Sequence, residues 1–374
     1  VQLLEGGNIS FPLPLSLIQG TQSLFGAKTK LKFGNLTLDA VVSQQKSESS
    51  SVTVQGGAQM DEFNFKADQY DANRHFFISQ YFYDNYNNAM STLPIINSNI
   101  VITKIEVWRT NVGAAVTNNR NIVAFSDLGE AKPYGQNPSI ERPGAGALPD
   151  QNLSNRLLDV VDVNSLRNIN TISSYLQGMG FVSGQNYEKV ESARKLSSNE
   201  YTFNPKLGFI SLTTPLSADQ VLAVAFRYQI VGDTATYQVG EFSDEGVSDP
   251  NTLVVKLLKS SSLNVRNPIW KLMMKNVYRI PDAYQISEED FRLNILYQAD
   301  EDGVQTGYFR DGDYQGIPLL QVFGLDRMDN QQYMYPDGVF DFVDNATTAG
   351  GTIQRDKALI FFPTVEPFGK DLRA

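Results

Sequence analysis

Two alternating runs meet across Gly34-Asn35 in the stretch TKLKFGNLTLDAVV, residues 29–42, and no other stretch restricts the fold as closely. A strand turns successive side chains to opposite faces, and a Gly/Asn pair suits a two-residue hairpin loop. The register follows directly: Phe33 opposite Leu36, Leu31 opposite Leu38, Thr29 opposite Ala40, and Ala27 opposite Val42. These pairs make an apolar ladder. On the other face Lys30 meets Asp39 and Lys32 meets Thr37, the charge pair contributing roughly 0.2 to 1 kcal/mol. Counted from Phe25, the first arm has the ~9 residues that a tilted strand needs to cross a bilayer. The same ladder also suits a strand packed on a soluble core, and on pattern alone that packing leads, because a membrane strand gives a weak signal per segment.

Composition narrows the function classes. The 374 residues carry a formal charge of −10, and with so few clustered cations a nucleic-acid surface is set aside. There are no cysteines, which excludes disulfides, thiolate metal sites and cysteine nucleophiles in this chain. The N-terminal VQLLEGGNISFPLPLSL lacks a basic region followed by an apolar run, so it reads as a cut inside a longer protein rather than a signal peptide. No apolar run approaches the ~20 residues of a membrane helix, so any contact with a bilayer is expected through strands.

Residues 1–59 read as strands, with Pro12 and Pro14 confining the first to an edge. The polar SQQKSESSS closes the second arm of the hairpin, and a QGG break follows. Residues 60–130 read as an α+β subdomain. Its helix has an aromatic face at Phe77, Tyr81, Phe82, Ala89 and Met90, with Asp71 as N-cap and Pro94 past the end. The strand NIVITKIEVWRTN follows. Residues 131–152, dense in Pro, Gly and Asn, read as a linker and the main internal boundary.

Residues 153–374 read as a β-rich, sandwich-like domain with short helices. Helical spacing appears at Leu157, Leu158 and Val161, then at Leu166, Ile169, Ile172 and Leu176, with Gly178 placed to end the second helix in the left-handed conformation. EYTFNPKLGFISL, QVLAVAFRYQIVG and TYQVGEFSD suggest a meander or sandwich. In NPIWKLMMKNVY, Asn267 caps a short helix with Pro268 in its first position and Trp270, Met273, Met274 and Val277 on the buried face. SEEDFRLNILYQ alternates through Phe291, Leu293, Ile295 and Tyr297, and KALIFFPTVEPFG ends the chain as a buried strand. The sum is a β-rich α+β fold.

Catalytic signals are sparse. The single histidine, His75, has no partner nominated by the sequence and reads as an exposed or cap-proximal imidazole. GAGALPD lacks the third glycine and the strand-to-helix context of a dinucleotide loop. The acidic loops 299–307, 310–316 and 325–344 set Asp beside Gly, as calcium loops do. The EF-hand frame fails, since Gly303 as sixth residue puts Gln298 first and Gly338 puts Tyr333 first, and Asp-Gly is also an ordinary turn pair. Turns are therefore favoured over calcium. No catalytic residue and no cofactor is nominated. The plentiful Tyr and Phe fall mostly at core positions.

Nine segments, among them FGAKTKLKFGNLTLDAVV, HFFISQYFYDNYNNAMSTLP, ITKIEVWRTN, PIWKLMMKNVY and IFFPTVEPFG, together resemble the SprA family (Sov in some species), the outer-membrane translocons of the type IX secretion system in Bacteroidota. The resemblance runs along nearly the whole chain in order. It implies a piece of a giant barrel of about 36 strands, a protein-conducting channel that exports folded proteins and gliding adhesins. It implies a PorV-like shuttle barrel, a plug protein, a periplasmic prolyl isomerase and secreted cargo as partners. Within that expectation Leu31, Phe33, Leu36, Leu38 and Val42 face outer-membrane lipid, and residues 60–374 form an extracellular insertion. The competing reading is an independent extracellular binding module or adhesin for glycan or protein. An enzyme comes third.

Overall fold

The structure is a computed structural model, and it describes residues 3–10, 23–33, 36–44, 62–113, 118–134, 140–142, 151–262, 264–300, 303–329, 331–345 and 350–373. The Gly34-Asn35 loop, the Pro12 and Pro14 segment, SQQKSESSS after its first two residues (which end the second arm of the hairpin), the QGG break and GAGALPD lie outside the described residues. The chain divides into two compact units, residues 1–60 with 298–305, and residues 61–297 with 306–374.

The first unit holds an antiparallel sheet in the order β1 (Leu3–Ser10), β2 (Ser23–Phe33), β3 (Leu36–Gln44). The β2–β3 register is the one expected from alternation: Phe33 pairs with Leu36, Leu31 with Leu38, Lys30 with Asp39, and Ala27 with Val42. The third strand, β1, falls within the residues that read as strands, although Gly6 and Gly7 in its middle are weak strand formers. It sets Leu4 beside Thr29 and Glu5 beside Lys28.

The second unit is built on a closed five-stranded barrel. Its strands are β5 (Ile100–Arg109), β6 (Asn119–Phe125), β7 (Tyr187–Lys195), β10 (Leu222–Ile230) and β12 (Leu253–Lys259). Around the ring β5 pairs with β10, β10 with β12, β12 with β6, β6 with β7, and β7 with β5. All contacts are antiparallel except β12–β6, which is parallel. A short β11 (Thr236–Val239) extends β10 on the side it shares with β12. Every residue of β12 is buried, so this strand is covered on both its faces. The sandwich expectation is corrected here: β10 pairs on both edges, and the sheet closes on itself instead of folding over a second layer. Strands from either side of 131–152 share the ring, so no boundary between the two units falls there.

Around the barrel lie α1 (Gln80–Ala89), α2 (Leu157–Val160) and α3 (Ile172–Gly178). A small sheet has the order β4 (His75–Phe77), β9 (Phe209–Leu212), β8 (Tyr201–Asn204). The aromatic helix therefore starts later than expected. His75 to Phe77 pair with β9, and Ser79, not Asp71, is the N-cap. Its buried face is Phe82, Tyr83, Tyr86 and Ala89, with Phe77 edge-on to both tyrosines. The left-handed residue after α3 is Gly180 (φ +84°), where the Phe181 N–H reaches back to the Leu176 carbonyl; Gly178 is still helical.

Asn267 does cap the turn Pro268–Leu272, its side chain accepting the Ile269 N–H. The C-terminal β13 (Val277–Arg279), β17 (Leu359–Phe361) and β16 (Ile353–Gln354) form a third sheet, and β17 is buried as expected. β14 (Tyr297–Gln298) pairs with β15 (Gln305–Thr306), and α4 (Leu319–Val322) follows. Residues 291–296 alternate in burial without entering a ladder among the described residues. Leu293 is buried and Arg292 exposed, so the period marks a surface segment lying on the core rather than a strand.

Candidate functional site

The three-stranded sheet has two unlike faces. Toward the hairpin end period two places Leu4, Thr29, Leu31, Phe33, Leu36, Leu38, Ala40 and Val42 on one face and Glu5, Lys28, Lys30, Lys32, Thr37 and Asp39 on the other, a face that also takes Leu3 opposite Lys30, Val41 opposite Lys28 and Leu24 opposite Ile9. Leu31 is half-buried and Lys32 exposed. The register thus brings Leu31, Phe33, Leu36, Leu38 and Val42 to one side. Opposite-sign pairs, Glu5 with Lys28 and Lys30 with Asp39, fall on the other.

In the second unit the densest polar chemistry surrounds Lys256. This lysine sits in the middle of β12 with no exposed surface, and its Nζ meets Glu130 Oε1 at 2.6 Å and donates to the Ser126 carbonyl. Glu130, also buried, accepts the Gln80 N–H at 3.0 Å. Its carboxylate does at the α1 N-terminus what the Ser79 hydroxyl does not, since that side chain makes no cap bond. Asn155 Nδ2 donates to the Asp127 and Glu130 carbonyls and fixes the loop that carries them. Burial pushes Asp127 above the ordinary carboxylate value, against the Tyr134 N–H it accepts and the nearby Lys256 charge.

Beside this network lies a groove of about 440 Å3 lined by Tyr134, Pro133, Arg266, Pro268, Trp270 and Lys271, among others. The sequence gives no sign of it, because its walls come from segments more than a hundred residues apart. A lone Lys inside the apolar run LVVKLLK is the one hint that a buried partner exists.

His75 is corrected from an exposed imidazole to a fully buried one. Nδ1 lies 2.8 Å from Ser211 Oγ and Nε2 3.1 Å from Asp71 Oδ2. The carboxylate and hydroxyl that the sequence did not nominate are present, delivered by β9 and by the loop before β4. Ser211 is itself 7% exposed and paired in mid-ladder, so the chain of bonds is a satisfied core network joining two strands. Burial lowers the His75 pKa and outweighs the raising effect of Asp71. Asp71 moves down as well: burial opposes ionisation, but the His75 hydrogen bond and the nearby charges of Arg74 and Arg279 prevail.

In the acidic loops, Gly303, Gly312, Gly316 and Gly338 all have positive φ, as turns require. Asp326 accepts the N–H groups of Asp337 and Gly338, and Asp341 those of Arg327 and Met328. These carboxylates hold their own loop together. Burial, with Asp326 and Asp337 nearby, pushes Asp341 up to about 6. Among the described residues no three His, Asp or Glu side chains converge as a metal site would need.

The profile of the SprA N-terminal family, described as motility related/secretion protein, matches residues 1–221. The chain therefore belongs to this SprA-related family of motility and secretion proteins. The match covers the three-stranded sheet and runs through β9, stopping just before β10 and β12, which close the barrel. No curated protein matches the chain. No helix among the described residues is long and apolar enough to cross a membrane.

Proposed function

We propose that the chain is part of the outer-membrane protein-conducting channel of the type IX secretion system and acts as SprA does, exporting folded proteins and gliding adhesins. Membership of the family over residues 1–221 carries the reading. The two-faced sheet supports it. An outer-membrane strand presents apolar residues to lipid and polar residues to a watery interior, and the register of β2 and β3 has that division. Leu31, Phe33, Leu36, Leu38 and Val42 then face lipid, with Lys30 and Asp39 toward the lumen. Among the described residues β1 and β3 each pair with β2 alone, as strands awaiting further neighbours would.

Residues 60–374 stand at the extracellular mouth in this reading, and the PorV-like barrel, the plug protein, the prolyl isomerase and secreted cargo are the partners. In this reading the channel works as a conduit and the energy for export comes from elsewhere. The chain has no cysteine, so a single Asp313→Cys gives a unique label at an exposed turn. A membrane-impermeant maleimide should label it in intact cells, and labelling only after permeabilisation would sink the extracellular placement. Co-purification of a PorV-like barrel with the wild-type chain, lost on removal of residues 60–374, tests the partner role.

A further inference from the structure

The surface around Trp270 carries chemistry that a conduit does not use. Trp270 is half-buried on the turn Pro268–Leu272 and, with Tyr134, Pro133 and Pro268, lines the groove of about 440 Å3. That volume falls within the roughly 300–1,000 Å3 typical of ligand clefts. The main chain beneath both rings is fixed, and each ring has a cation near its face. The Tyr134 N–H donates to Asp127 Oδ1 at 2.7 Å, and Lys256 Nζ lies 5.5 Å from its ring centroid. The Trp270 N–H donates to the Asn267 carbonyl at 2.9 Å, its own carbonyl accepts from Lys275 Nζ at 3.0 Å, and that ammonium lies 5.6 Å from the indole ring. A main chain fixed in this way loses little freedom on binding.

The groove also reverses the charge of the molecule. The chain carries 41 acidic against 31 basic residues, yet the lining contains Arg266 and Lys271 and no carboxylate. Both cations are exposed, and neither forms an ion pair with a described residue. Gln80, the first residue of α1, also lines the groove; its N–H is taken by Glu130, whose charge Lys256 matches, so no uncompensated carboxylate stands at this wall.

We propose that this groove binds a short acidic segment of another protein, its carboxylates on Arg266 and Lys271 and an apolar side chain between Trp270 and Tyr134. Trp, Tyr and Arg are the residues that dominate protein interfaces. The two proline walls offer apolar contact and no N–H donor, which suits a peptide side chain better than the many hydroxyls of a glycan. The proposal stands apart from the channel reading.

Fluorescence anisotropy with the full chain tests it, using a labelled heptapeptide that alternates Glu with Leu and Pro, and a counterpart with Lys in place of Glu. The Glu peptide should bind and the Lys peptide should not. Arg266→Glu combined with Lys271→Glu should weaken binding at least tenfold with an unchanged Tm, since both residues are exposed, and Trp270→Ala should weaken it as well. The proposal is overturned by failure of the Glu peptide to bind, by equal binding of the two peptides, or by unchanged binding in the charge-reversed variant. Displacement by dextran sulfate at lower concentration than by unlabelled Glu peptide would replace it with a polyanion site.

Discussion

A histidine with no exposed surface has to be neutral or matched, and His75 achieves the first by donating Nε2–H to Asp71 and accepting the Ser211 hydroxyl proton at Nδ1. Its folded pKa lies below the unfolded value of about 6.5. The unfolded chain therefore takes up the proton first as pH falls, and stability drops from about pH 6.5 down to the folded pKa, by at most about 1.4 kcal/mol per pH unit. Asp341 acts in the opposite sense, because its folded pKa of about 6 exceeds its unfolded value, so stability rises as pH falls through 6. The two separate in a difference profile: urea unfolding of His75→Gln and wild type from pH 7.5 to 5 should show the shallower acid loss in the variant. Parallel curves would mean that His75 does not control this limb. Lys256 and Glu130 make a sharper case. Lys256→Met alone leaves Glu130 buried without its cation and should cost about 3–5 kcal/mol, whereas Lys256→Met with Glu130→Met should recover most of that loss. Denaturation midpoints at constant m-value read both.

The turn between β8 and β9 depends on Gly208. Its φ is +62°, and a Cβ there would lie 2.1 Å from the Phe82 ring on α1. Gly208→Ala should combine about 1–2 kcal/mol of left-handed strain with about 1–3 of overpacking and lower stability by roughly 3 kcal/mol. A loss below 1 kcal/mol in urea would show that α1 yields there. Elements like this hairpin were legible where local chemistry set them. β2, β3 and β5 alternate cleanly, and the Asn267-Pro268 pair announces its turn. β10 lies in QVLAVAFRYQIVG and was legible too, whereas the remaining barrel strands escaped for distinct reasons. β12 is buried on both faces and has no alternation to read. β7 is largely polar, and its pairing with β6 slips where Ser192 takes φ +51° and donates its N–H to Asn121. β6 begins with Asn-Arg-Asn and only then turns apolar. Asp71 looked like a cap because it precedes an aromatic run, but that run opens with three residues paired to β9. The Lys256 network and the Trp270 groove had no local signal, since both join residues that only the closed ring brings together.

At the scale of the molecule, the two units differ in build: one is a sheet with an apolar ladder on one face, which the proposed function would turn to lipid, and the other is a closed barrel. Such a sheet makes unequal demands on substitutions at neighbouring positions of one strand. Leu38 belongs to the apolar ladder and Thr37, next to it, to the charged face. If the ladder faces lipid, Leu38→Arg should cost about 2–4 kcal/mol near the bilayer midplane, falling toward about 0–1 at the interfaces, whereas Thr37→Arg should be close to neutral. The amount of each variant in the outer-membrane fraction of cells, scored beside export of a secreted reporter, measures the difference. Loss confined to Leu38→Arg supports lipid on that face. Soluble packing predicts a different pattern: Leu38→Arg would then lower the Tm of the detergent-free soluble chain without any selective change in membrane assembly, because an arginine in a protein core destabilises the fold wherever the chain resides. The outcome turns on one bond of chain, since period two gives adjacent residues opposite surroundings, and only a sheet between lipid and water makes that alternation a condition of assembly.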